Sequence, residues 1–230
     1  MSIPRVFLLA LLALTVSSCG RPLTPSEKAF ATSLYGDQLN TKRVRLATGA
    51  PVDSVTFRRP PRPRVTCRER IFPPPTSDIV TTSPAAVTLF NKVLFADTWY
   101  LPNYMPDYPN RMYLVEAMLF GHEMVHVWQW QNRKRTGYHP LKAAMEHQES
   151  SDPYLFDVAS DEGFLSFGYE QQGAIVEEYI CCSAIDPKGK RTKRLHEMLA
   201  GAFPVSDLPQ SRQSDVYLPW KEADLKGICD

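Results

Sequence analysis

Twenty prolines punctuate this chain of 230 residues, yet none falls between Arg111 and Lys134, where the only glycine is Gly121. Met112, Val115, Leu119, His122 and His126 recur there at helical spacing. The spacing predicts one long helix, which Gly137 closes. A rod of this length has to be covered on its apolar side, so the rest of the chain must pack around it. Its centre reads FGHEMVHVWQWQ, Phe120 to Gln131. Trp128 and Trp130 read as packing aromatics beside the motif.

Residues four apart on a helix lie on one face, a turn apart. His122 and His126 can therefore aim two imidazoles at one point, and Glu123 can reach a water held there. This is the mechanical content of H-E-x-x-H, a pattern suited to a single Zn2+. A zinc site needs a third protein ligand. Gln129 and Asn132 stand where one known arrangement places a glycine and a third histidine, so the third ligand must come from elsewhere. Glu170 is the choice, on a second helix 44 residues after His126. Glu177 and Asp161 remain as substitutes. Glu177 lies seven residues on, along the same face as Glu170. It is suited to accept a hydrogen bond from a ligand histidine and fix its tautomer. His147 and His196 carry no motif and read as surface or core residues.

Around the motif the chain reads as α+β. LTPSEKAFATSLYGD is a helix with Thr24 as cap, Pro25 in its first turn, Glu27 completing a capping box and Gly36 as its stop. From Val44 to Phe95, the short runs KRVRL, SVTF, RVTC, DIVTT and VTLFNKVLF alternate with proline-rich turns. They predict a small, irregular antiparallel sheet. DTWYLPNYMPDYPN is a proline-broken loop that packs on the surface or walls a cleft. YHPLKAAMEHQ, FGYEQQGAIVEEYICC and KRTKRLHEMLAGAF read as further helices, with Gly173 a weak point in the second.

Residues 1–18 pair one cation, Arg5, with an apolar run too short to span a bilayer comfortably, as in an export signal. VSSC places small residues before Cys19, as in a lipobox. This predicts cleavage there and lipidation of Cys19, a linker over 19–23, and one domain over 24–230. In an oxidising compartment, Cys67 and Cys229 are expected to bond Cys181 and Cys182 in an order left open, since adjacent cysteines pair poorly with each other. With 26 basic and 25 acidic residues, nothing favours nucleic acid as a partner. The basic runs at Arg58–Arg64 and Lys188–Arg194 read as a solvated loop and a solvated helix start.

HEMVHVWQWQ followed by YEQQGAIVEEY resembles the gluzincin zinc metallopeptidases. Together with RPLTPSEKAFATSLYGDQLNTKRVRL, it is most similar to the vgr-related zincin-like proteins associated with contractile injection systems. The resemblance covers roughly residues 21 to 185. It implies a zincin-like fold, His122, His126 and Glu170 as zinc ligands, and Glu123 as general base. It also implies peptide-bond hydrolysis on a protein or peptide substrate. With the leader, the expectation is a periplasmic or cell-surface bacterial lipoprotein held to the membrane by its N-terminal lipid. Ala174 departs from the aspartate that gluzincins often place four residues after the ligand glutamate. No oxyanion donor follows from the motif, and Tyr138, His139 and Tyr154 are candidates by composition only. A non-catalytic zinc-binding module, serving binding or secretion, is the alternative.

Overall fold

The computed structural model describes residues 20–51, 54–59, 62–149, 152–208 and 215–230. The expected export signal over residues 1–18 and the expected lipidation site Cys19 lie outside the described residues. The architecture is α+β. Helix α1 (Pro25–Tyr35) begins as its sequence predicts. Thr24 accepts the Glu27 amide at 3.2 Å, and the Glu27 carboxylate accepts the Thr24 amide at 2.8 Å. Gly36 ends it.

The main sheet joins β1 (Arg45–Thr48), β4 (Ala86–Leu89) and β5 (Lys92–Phe95) in the order β1-β5-β4. It is mixed, not antiparallel throughout. The run VTLFNKVLF, read as one stretch of β character, is split at Phe90 and Asn91 into the antiparallel pair β4 and β5, and β1 runs parallel to β5. The physical reason is the excursion between them. The chain leaves after β1, makes a separate antiparallel pair β2 (Val55–Arg58) and β3 (Ile79–Thr82), and re-enters at the end it left, so β4 runs back against the direction of β1 and β5, after the turn, runs along it. A connection of that length permits a parallel neighbour, which a tight turn does not.

Within that excursion, RVTC is not a strand. Thr66 caps a short helix, α2 (Cys67–Ile71), with Glu69 closing a second capping box. The T-x-x-E spacing carried this signal, and the β-rich surroundings masked it. A two-residue parallel pair, β6 (Met112–Tyr113) with β7 (Val216–Tyr217), brings the tail back to the start of the long helix.

That helix, α3, runs from Leu114 to Gln131 and is buried along most of its length. A short turn, α4 (Arg133–Thr136), follows and ends at Gly137. Then come α5 (Pro140–Glu149), α6 (Tyr169–Ile185) and α7 (Lys190–Ala200). The loop Asp97–Asn110 is scaffold. Tyr104 is buried and stacks on Phe95 at 4.7 Å and Phe120 at 5.9 Å, behind α3. Trp128 is fully buried against Phe203 at 5.0 Å. Trp130 is half-buried, with Phe90 at 4.5 Å on one side and the Arg133 guanidinium at 4.3 Å on the other.

Helices α3 and α6 pack closely, and two glycines permit it. A Cβ on Gly121 would stand 2.3 Å from the Ile180 side chain. A Cβ on Gly173 would stand 2.4 Å from Cε1 of His122. Gly173 lowers helix propensity, but its missing side chain makes the space that the imidazole occupies.

Two disulfides tie outlying parts to α6. Cys181 bonds Cys67 of α2, and Cys182 bonds Cys229 of the tail. Successive helical residues point about 100° apart, so neighbouring cysteines reach different partners. The basic runs are less free than expected. Arg58 pairs with Asp78, Arg62 with Glu69, and Arg191 with the buried Glu178 at 2.8 Å. Among the described residues no helix is long and apolar enough to cross a membrane.

Candidate metal centre

His122, His126 and Glu170 meet where α3 faces the first turn of α6, and all three are buried. The Nε2 atoms of the two histidines are 3.2 Å apart. His122 Nε2 lies 3.3 Å from Glu170 Oε2, and His126 Nε2 lies 3.5 Å from Glu170 Oε1. A tetrahedral ion with ligands at about 2.0–2.1 Å sets adjacent ligand atoms about 3.3 Å apart. The distances lie close to that spacing, with a different carboxylate oxygen facing each histidine, so the group can hold a metal ion. The space behind His122 supports the same fit, because any side chain at position 173 would push its ring off this point.

Each histidine is oriented from behind. His126 Nδ1 is 2.9 Å from Gln129 Oε1, which accepts the Nδ1 proton, so Nε2 is the nitrogen that faces the centre and can bind a metal once it gives up its own proton. Gln129 in turn donates to Gln172 Oε1 at 3.0 Å. His122 Nδ1 lies 2.9 Å from Glu177 Oε1, too bent for a good hydrogen bond but close enough for a charge contact. Arg68, from α2, holds the other oxygen of Glu177 at 2.7 Å. Glu177 thus stands behind His122 as a charged neighbour, without the hydrogen bond expected of it.

Burial alone would favour neutral histidines. The Glu170 and Glu177 carboxylates outweigh it and raise His122 from 6.5 to about 10. His126 is raised too, with burial opposed mainly by Glu170. Glu170 sits well below the usual carboxylate range because His126, His122 and His147 overcome its burial. Glu177 is lowered against its burial by Arg68 and His122. The cluster is a balanced set of charges, and an entering divalent ion exchanges for its protons.

Glu123 is buried beside this group, and its Oε2 accepts the Thr88 hydroxyl at 2.7 Å. Thr88 belongs to β4, so the edge of the sheet fixes the carboxylate that the sequence marks as a base. Tyr154 closes another side, with its ring 5.8 Å from that of His122. Burial, together with Glu170, Glu123 and Glu177, raises its pKa, so its hydroxyl remains a neutral donor. Tyr138 is more deeply buried and stacks near His126 at 5.9 Å. Burial and then Glu170 likewise raise its pKa. His139 is not in the group. Its Nδ1 accepts the Leu141 amide and caps α5.

Asp161 is exposed and is not part of the group that His122 and His126 form with Glu170. His147, read as an ordinary helical residue, is in fact 3.4 Å from Glu170 Oε1. Thr88, Gln129, Arg68 and His147 were not singled out as parts of the site. Only Gln129 carried a usable signal, because it is three residues from His126 on the same helix face.

Fold and site together define an α+β protein with a buried two-histidine, one-glutamate group able to hold a metal. No family model matches the chain, and no curated protein matches it. Among solved structures it is similar to the effector domain of Pseudomonas aeruginosa VgrG2b. Identity is 20% and the TM-score 0.47, over 81% of this chain and 85% of that chain. At that distance the site stands on its own geometry.

Proposed function

We propose that the chain is an exported zinc-dependent metallopeptidase of the zincin type that hydrolyses peptide bonds in protein or peptide substrates. It is anchored through a lipid on Cys19, in the periplasm or at the cell surface. The observation that carries the reading is the spacing of the group: two Nε2 atoms 3.2 Å apart, each facing one oxygen of the Glu170 carboxylate at 3.3 and 3.5 Å, enclosed on α3 and α6. Histidine nitrogen with a carboxylate suits zinc among common ions. Two disulfides suit an oxidising compartment.

A zinc ion held there supplies Lewis acidity and lowers the pKa of a water that it binds. Glu123, positioned by Thr88, takes the proton from the attacking water and returns it to the leaving amine. Tyr154, a protonated hydroxyl on the near side of the group, donates to the oxygen that gains charge. β4 is the outer strand of its sheet among the described residues. An extended peptide can add along it beside Glu123.

Elemental analysis of purified protein is expected to find one zinc per chain. Glu170→Ala should lose it, while Glu162→Ala, at an exposed carboxylate, should keep it. Glu123→Gln is expected to retain zinc and fold yet stop cleavage of an unfolded protein substrate. Zinc-loaded wild type that cleaves nothing would favour a non-catalytic zinc-binding module. No bound metal after zinc is offered at neutral pH would end the reading.

A further inference from the structure

Helix α6 carries the third ligand in its first turn, where backbone N–H groups have no partners within the helix. The usual remedy is a Ser, Thr, Asp or Asn side chain at the capping position. Here that position is Gly168, which has none. Gln171 turns back to accept the Gly168 amide at 2.9 Å, which serves half of a capping box. The other half comes from a different helix. Glu146 of α5 accepts the Tyr169 amide on Oε1 at 2.8 Å and the Glu170 amide on Oε2 at 2.9 Å. A Cβ at position 168 would stand 3.2 Å from both oxygens of Glu146, so the glycine leaves the space this carboxylate fills. The negative charge also faces the positive end of the α6 dipole.

Glu146 therefore grips the backbone of the residue whose side chain completes the metal group. The next residue, His147, lies 3.4 Å from Oε1 of that side chain. One turn of α5 thus holds Glu170 at its amide and approaches it at its carboxylate. We infer that Glu146 is a positioning residue for the metal centre: it caps α6 from outside and fixes the place and direction of Glu170. The inference rests on the metal reading above. It adds that metal affinity depends on α5, a helix that contributes no ligand.

The test is zinc affinity of the full chain, measured by competition with a chromophoric chelator, alongside thermal unfolding with chelator in excess. Loss of support behind a ligand typically weakens metal binding about 10–100-fold. Glu146→Ala is expected to fall in that range. Glu146→Gln keeps the size and one acceptor, so it should weaken binding by less, in a chain whose packing is preserved. Rescue is the decisive arm. In the Glu146→Ala background, Gly168→Ser has room for its side chain and supplies a conventional cap, so the double variant should recover most of the lost affinity. Gly168→Ser alone crowds Glu146 and should not improve on wild type. A Glu146→Ala chain that unfolds earlier but binds zinc as tightly as wild type would reduce Glu146 to a structural cap and overturn the inference. So would a double variant with no recovery. Wild type that takes up no zinc would overturn the metal reading and this inference together.

Discussion

At the scale of single residues, the site depends as much on an absent side chain as on those present. His122 fills the space above Gly173, and an added methyl would sit 2.4–2.7 Å from three atoms of its ring. The ring cannot yield without moving Nε2 off the point it shares with His126. Gly173→Ala should therefore act on the metal more than on the fold. We expect zinc affinity to fall at least tenfold, the range seen when a ligand loses its orienting support. Overpacking itself costs about 1–3 kcal/mol, which is offset in part by alanine's better helix propensity. Gly121→Ala is the comparison. Its methyl meets only the end of the Ile180 side chain at 2.3 Å, so it should cost stability while zinc binding stays near wild type. Competition titration separates the two. Equal losses of affinity would show that the helix spacing, not the ring's seat, controls the site. Read from sequence alone, Gly173 was only a flaw in a helix. The ring that requires it lies on another helix, 51 residues earlier in the chain.

Elements were legible wherever a local signal was complete. The capping box at Thr24 and the helical period of the proline-free α3 each declare themselves locally, and both are present, whereas VTLFNKVLF shows its β character but not the turn that splits it into β4 and β5. Helix α2 was hidden because five residues cannot display a period, and its neighbours favour strand. Its role is also non-local. Cys67 is bonded to Cys181, the Cys67 amide is held by Glu178, and Arg68 reaches Glu177 behind His122. The two disulfides should therefore differ in consequence. Removing either is expected to cost about 2–5 kcal/mol, as for a bond that closes a long loop. Replacing Cys67 and Cys181 with alanine also frees α2, so Glu177 loses its cation and zinc affinity should drop. Replacing Cys182 and Cys229 frees the tail and should leave affinity close to wild type. Denaturant titration reads the first effect and chelator competition the second. If both pairs affect zinc alike, α2 has no particular hold on the centre.

Across the whole molecule, α3 serves two purposes that conflict. It is the central packing helix, buried along most of its length, and it also carries ionisable groups in its middle. Burying His122, Glu123, His126, Glu170 and Glu177 together costs desolvation, which is offset only while the group keeps its mutual contacts. A bound divalent ion shifts that balance, because it binds the folded arrangement and not the unfolded chain. Metal removal should therefore appear as lost global stability. With free zinc at about a hundred times its dissociation constant, the gain is about 2.7 kcal/mol. For a chain of this size, that corresponds to about 5–10 °C in the unfolding midpoint. We expect a chelator to lower the wild-type midpoint by this amount and zinc to restore it, with the shift growing as free zinc rises. His126→Ala removes one ligand, so its midpoint should ignore both additions. If that variant responds to zinc as fully as wild type, the ion is bound elsewhere, and the buried charges on α3 are balanced by one another alone.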